Sequence, residues 1–133
     1  MYTHWQRSFL HPSLLAFDAP SREECVADRP RSNTPQQALT LLNDPTYIEA
    51  ARTFAGRILK EGGSDTPSRL KWAYQQILSR DPHAAEVALL EGVLQKHAER
   101  SKTNPAEANA EELAAWTSVS RILLNLHETI TRL

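Results

Sequence analysis

A lone cysteine, Cys25, rules out an internal disulfide and any site assembled from several thiolates, and no C-x-x-C-H run is present to attach a c-type haem. Cysteine usage therefore leaves the compartment open. No apolar run approaches the ~20 residues needed to cross a bilayer, so no membrane span is expected. The first residues, Met1 to Arg7, lack the basic start and apolar core of a secretory signal, and no export signal is expected in this chain. Fifteen basic residues against sixteen acidic ones give a formal charge of −1, which is far from the basic footprint of a nucleic-acid domain. The five histidines, at 4, 11, 83, 97 and 127, are scattered with no H-x-x-x-H pair, so neither a metal nor another cofactor is expected. There is no G-x-S-x-G elbow and no phosphate-type glycine loop; the chain has only four glycines. Strict apolar–polar alternation over strand lengths is also missing.

What is present is helical spacing, 41% hydrophobic residues, and a length of 133 that suits a single helical domain over 1–133 with one modest core. The reading is all-α, with five main helices at about 35–43, 45–61, 67–80, 84–100 and 110–131, packed as a compact bundle behind an irregular N-terminal arm over 1–33. Thr34-Pro35-Gln36-Gln37 has the form of a capping box with proline in the first turn, followed by a helix that buries Ala38, Leu39, Leu41 and Leu42. Asp44-Pro45 and Asp65-Thr66-Pro67 repeat the device. Gly62-Gly63 closes the helix between them, and Asp81-Pro82-His83 separates the next two, with Glu86 placed as a capping partner. The stripe Leu113, Trp116, Val119, Ile122, Leu123, Leu126, Ile130 marks the last helix as central. Upstream, Tyr2 to Leu10 could form a short helix ended by Pro12, and Ser21–Glu24 fits a second capping box. A basic excess over 46–80 faces an acidic excess over 81–133, as expected of helices lying side by side with solvated faces.

The stretch from Phe17 to Pro45 has an order that periodicity does not generate. It contains FDAPSREEC, the R-x-R-S-N-T-P-x-Q-A-L run from Arg29 to Leu39, and the start of LLNDPTYIEAAR. With ILSRDPHAAEVALL and AAWTSVSRILLNLHETITRL further on, the chain resembles the C-terminal part of a family typical of planctomycetes, domain of unknown function fifteen fifty-three. Members of that family are usually longer and commonly carry a cytochrome c domain upstream. The resemblance therefore implies a haem-containing, exported (periplasmic or cell-surface) context for relatives, and no haem in this chain. Asp28, Ser32 and His127 depart from the family's usual residues.

Candidate binding residues concentrate in the arm: Asp18, Arg22, Arg29, Arg31 and Asn33. Arginine forks pair bidentately with carboxylates, which would pin an irregular arm to the body. The same arginines beside the helix start at Thr34 would also suit an anionic group. Cys25 is expected to be a small buried or half-buried thiol rather than a nucleophile, because the sequence offers only Glu24 or a distant histidine as a base to activate it. Trp116 is expected in the core and Trp72, off the Leu70–Tyr74–Ile77 stripe, against a partner. The resulting expectation is a non-catalytic structural or interaction module that packs against another domain, another protein or itself. The alternative is a fragment of a hydrolase-like or anion- or polysaccharide-binding protein with a site around residues 18–33.

Overall fold

The computed structural model describes residues 9–20, 23–28, 32, 34–101 and 108–130. Among them there are seven helices and no strand: α1 (Pro12–Ala16), α2 (Pro35–Asn43), α3 (Pro45–Glu61), α4 (Thr66–Leu78), α5 (Ala84–Ser101), α6 (Ala108–Leu124) and α7 (His127–Ile130). The protein is all-α.

Proline opens α2 and α3 and sits in the first turn of α4, where its missing amide hydrogen costs nothing. An oxygen-bearing cap precedes each. The Thr34 hydroxyl accepts from the Gln37 amide at 3.4 Å while the Thr34 amide donates to Gln37 Oε1 at 3.3 Å, closing the box read from sequence. Asp44 accepts from the Thr46 amide at 2.9 Å and Asp65 from the Ser68 amide at 3.0 Å. Gly62 ends α3 where the chain passes close to α4: a Cβ there would lie 2.6 Å from the Ile58 carbonyl oxygen and 3.0 Å from the Arg69 Cα.

The core forms where α3, α4 and α5 meet α6. Ala55 and Ile58 from α3, Leu70, Ala73 and Tyr74 from α4 and Leu90 from α5 close over Trp116, Val119 and Leu123, all buried. The helix with the longest apolar stripe is thus the one the others surround. Ser120, also buried, donates to the Trp116 carbonyl at 2.8 Å, so its hydroxyl is satisfied within α6.

The segment expected as one helix over 110–131 is two. At the end of α6 the Asn125 amide turns to the Ile122 carbonyl at 3.1 Å, and the Thr129 hydroxyl takes the Leu123 carbonyl at 2.7 Å, so side chain replaces helix ladder. The short α7 then brings Glu128 to Arg80. That arginine donates to Glu86 at 2.9 and 2.7 Å, to Glu128 at 2.8 to 3.2 Å and to the Asp81 carbonyl at 3.1 Å, and lies 5.2 Å over the Tyr74 ring. Glu86 also accepts the His83 amide at 2.7 Å, the capping contact anticipated for it. The R-x-P-x-x-x-E pattern from Arg80 to Glu86 is therefore a clamp joining the end of α4, the start of α5 and α7.

Other local expectations shift. Helix α4 ends at Leu78, short of residue 80, because Ser79 adopts a left-handed cap with φ 56°. The proposed helix over 2–10 lies mostly outside the described residues, and Phe9 and Leu10 are not helical; Pro12, expected as a terminator, instead opens α1. Leu39, expected to be buried, is 58% exposed, and Gln37 takes the interior at 1%. The two are separated by about 200° around the helix, so turning Gln37 inward turns Leu39 out. Cys25 is exposed. Trp72 is half-buried and stacks on Phe54, ring centroids 6.0 Å apart, with Arg57 at 5.4 Å.

Candidate functional site

The arm is anchored by its one described candidate residue, Asp18, at the turn that follows α1. Its φ of 55° is left-handed, a conformation that aspartate tolerates better than most residues. This turn delivers the carboxylate to Ser32: Oδ2 accepts the Ser32 hydroxyl at 2.5 Å and the Ser32 amide at 2.8 Å. Gln37, buried at the start of α2, donates through Nε2 to Ser32 Oγ at 3.2 Å and more weakly to Asp18 at 3.5 Å. The Ser32 hydroxyl, then the Ser32 amide, holds the Asp18 carboxyl below its ordinary range against a smaller opposing push from burial. Around this knot, the Ser13 hydroxyl donates to Asp44 at 3.1 Å and Phe17 meets Tyr47 with ring centroids 6.0 Å apart. Asp18 thus organises the arm from within. Arg22, Arg29, Arg31 and Asn33, the other candidates, lie outside the described residues, as does Ser21, the first residue of the capping box expected over Ser21–Glu24; Glu23 and Glu24 are described and are not helical.

Two further hollows flank α6, and neither was singled out in the sequence. On one side, a space of about 240 Å³ is lined by Arg69, His97, Glu111, Glu112 and Trp116. Its arginine is spent: Arg69 donates to Glu112 at 2.8 Å and to the Gly63 carbonyl at 3.0 Å, with Trp116 at 5.8 Å. One carboxylate oxygen of Glu111 is buried there with no hydrogen-bond partner among the described residues. On the other side, a space of about 360 Å³ runs between Arg52 of α3 and the α6 face that carries Leu113, Ala114, Thr117, Ser118 and Arg121. Arg121 donates to the Leu42 carbonyl at 2.5 Å, one of the acceptors left open at the end of α2, and its buried Nε has no acceptor. Arg52 and Arg121 are far apart in the chain, and only the packing of α3 on α6 unites them. A third, shallower space of about 380 Å³ separates α1 from α2, between Pro12 and Ala16 on one side and Leu39 and Asn43 on the other.

Among the described residues no three histidine, cysteine, aspartate or glutamate side chains converge as metal ligands do, and no helix is long and apolar enough to cross a membrane. No curated protein and no solved structure matches the chain. The model of one family, PSD1, described as a protein of unknown function (DUF1553), matches residues 1–94, from the arm into α5. The matched range takes in FDAPSREEC, the arginine-rich run, LLNDPTYIEAAR and the Arg80–Glu86 clamp. With more than half of its length matched, the chain belongs to this PSD1 (DUF1553) family.

Proposed function

We propose that the chain is a non-catalytic interaction module that packs against another protein domain through the end formed by α1 and α2. The carrying observation is the exposure there of Phe9, Leu15 and Leu39, at 67, 65 and 58%. Leu15 and Leu39 belong to the two helices that border the shallow α1–α2 hollow, which Leu39 lines, and Phe9 precedes α1 in the chain. Large side chains grouped on one end of a small domain lose water contact when a partner covers them, which favours association.

The ionisation pattern supports the same reading. Asp44 and Asp65 are held low chiefly by the cap amides of Thr46 and Ser68, Asp81 by Gln75, and Glu86 and Glu128 by Arg80. These carboxylates are tuned to remain ionised in structural roles, whereas a general acid needs its proton affinity raised towards neutrality. The competing reading, a hydrolase-like or polysaccharide site around residues 18–33, needs an available Asp18 carboxylate. Ser32 and Gln37 engage it.

Light scattering coupled to size-exclusion chromatography, with an apolar dye in parallel, tests the proposal. The unmodified chain should self-associate or bind dye, and Leu15→Ser/Leu39→Ser should reduce both while leaving the far-ultraviolet circular dichroism unchanged. A strictly monomeric, folded, dye-free parent chain would overturn it.

A further inference from the structure

Three arginines with described side chains hold a carboxylate: Arg57 pairs with Glu61, Arg69 with Glu112, and Arg80 with Glu86 and Glu128. Among the described residues no carboxylate pairs with Arg52 or Arg121, and these two line the same hollow between α3 and α6. Among the described residues lining it there is no carboxylate either. Positive charge is therefore gathered at one place in a chain whose overall charge is nearly balanced.

We propose that this hollow binds a small molecule bearing an oxyanion, a carboxylate or a phosphate, on an apolar body. A guanidinium presents five N–H donors in a planar fork that matches either group. Arg121 is fixed in place by its bond to the Leu42 carbonyl, yet its Nε lacks an acceptor. A buried donor left unpaired is unfavourable, and a small local adjustment around an incoming oxyanion would relieve it. Arg52, on the opposite wall and exposed, supplies the second charge.

The hydroxyls of the hollow sharpen the chemistry. Thr117 donates to the Leu113 carbonyl at 2.6 Å and Ser118 to the Ala114 carbonyl at 3.2 Å, so both hydroxyl hydrogens are committed within α6. Among the described lining residues the available side-chain donors are the two guanidinium groups, while Leu113 and Ala114 provide apolar wall. A space of about 360 Å³ lies within the ~300–1,000 Å³ range of small-molecule sites. Anionic ligands should be accepted and their neutral amides refused.

The test is a heteronuclear NMR titration of the full chain with sodium benzoate, inorganic phosphate and benzamide. Benzoate or phosphate should give saturable shifts at Arg52, Thr117, Ser118 and Arg121, and benzamide should give none. Tighter binding of benzoate identifies a carboxylate ligand, and tighter binding of phosphate identifies a phosphate ligand. Arg52→Gln, at an exposed position, should weaken the anion about tenfold or more without changing the melting temperature. Arg121→Lys, which keeps the charge and loses the fork, should also weaken it. The proposal falls if neither anion saturates, if benzamide binds like benzoate, or if Arg52→Gln binds like the parent chain. Leu15→Ser/Leu39→Ser should leave the titration unaltered, so this site and the α1–α2 surface stand or fall separately.

Discussion

Replacing Arg80 with methionine should cost stability at neutral pH and little in acid. The guanidinium joins three elements, with about a quarter of its surface exposed (27%), and methionine keeps most of the aliphatic packing while deleting the charge. Its removal leaves Glu86 and Glu128 as neighbouring anions without their shared cation. Glu86 is pulled from an ordinary 4.5 to about 2, first by Arg80 and then, after an opposing push from burial, by the His83 amide. A group whose folded proton affinity is depressed contributes stability that is fully present above its unfolded value and lost as pH falls through its folded one. The window is therefore about 4.5 down to about 2. At ~1.4 kcal/mol per pH unit the gap sets a ceiling of about 3 kcal/mol. Glu86 is 28% exposed, and solvent screening reduces this to about 1–2 kcal/mol. Urea unfolding followed by circular dichroism should show Arg80→Met less stable by about that amount at neutral pH, the difference shrinking across the window. A cycle with Glu86→Gln should return a coupling of about 1 kcal/mol. An Arg80→Met chain as stable as its parent at neutral pH, or a deficit that persists undiminished in acid, would refute the assignment of the clamp to ionic bonding.

Two glycines should respond in opposite directions to the same added methyl group. Gly62→Ala drives a Cβ to 2.6 Å from backbone oxygen and should destabilise by about 1–3 kcal/mol in urea unfolding. Gly56→Ala, inside α3 with nothing within 4 Å of the new atom, should stabilise by about 0.5–1 kcal/mol. Asp18→Asn keeps a residue that tolerates the left-handed turn and removes the anion bound by Ser32, so exchange of the Ser32 amide should accelerate. In the parent chain the same acceleration should appear only as pH falls through the lowered Asp18 value, below the ordinary 3.8; unchanged exchange in the variant would detach Asp18 from the arm's order.

The starts of the main helices were legible because their causes are local. Thr34, Asp44 and Asp65 each meet an amide two or three residues away, and proline follows each within two positions. The centrality of α6 was legible for a related reason, since a stripe from Leu113 to Leu123 admits burial by several partners. What could not be read was any choice made by tertiary contact. The break between α6 and α7 depends on Arg80 reaching Glu128 and on Thr129 capturing a carbonyl at the end of α6. The outward turn of Leu39 depends on Gln37 being drawn inward beneath Ser32. Stripe counting on α2 favoured the leucine because it scores hydrophobicity and is blind to an amide with three polar partners.

The same distinction separates a binding site from a structural cluster. In the arm, the one described candidate, Asp18, is engaged by Ser32 and Gln37, partners fourteen and nineteen residues away that the fold brings to it, so its charge is spent on structure. Arg52 and Arg121 carry no sequence signal as a pair, since each is one arginine on an amphipathic helix. The fold brings them to one hollow, and among the described residues lining it there is no carboxylate. A binding site differs from a structural clamp in that its charge is left over after folding. By that criterion the Arg80 cluster is spent, with two carboxylates on one guanidinium, whereas the α3–α6 hollow retains its charge for a ligand.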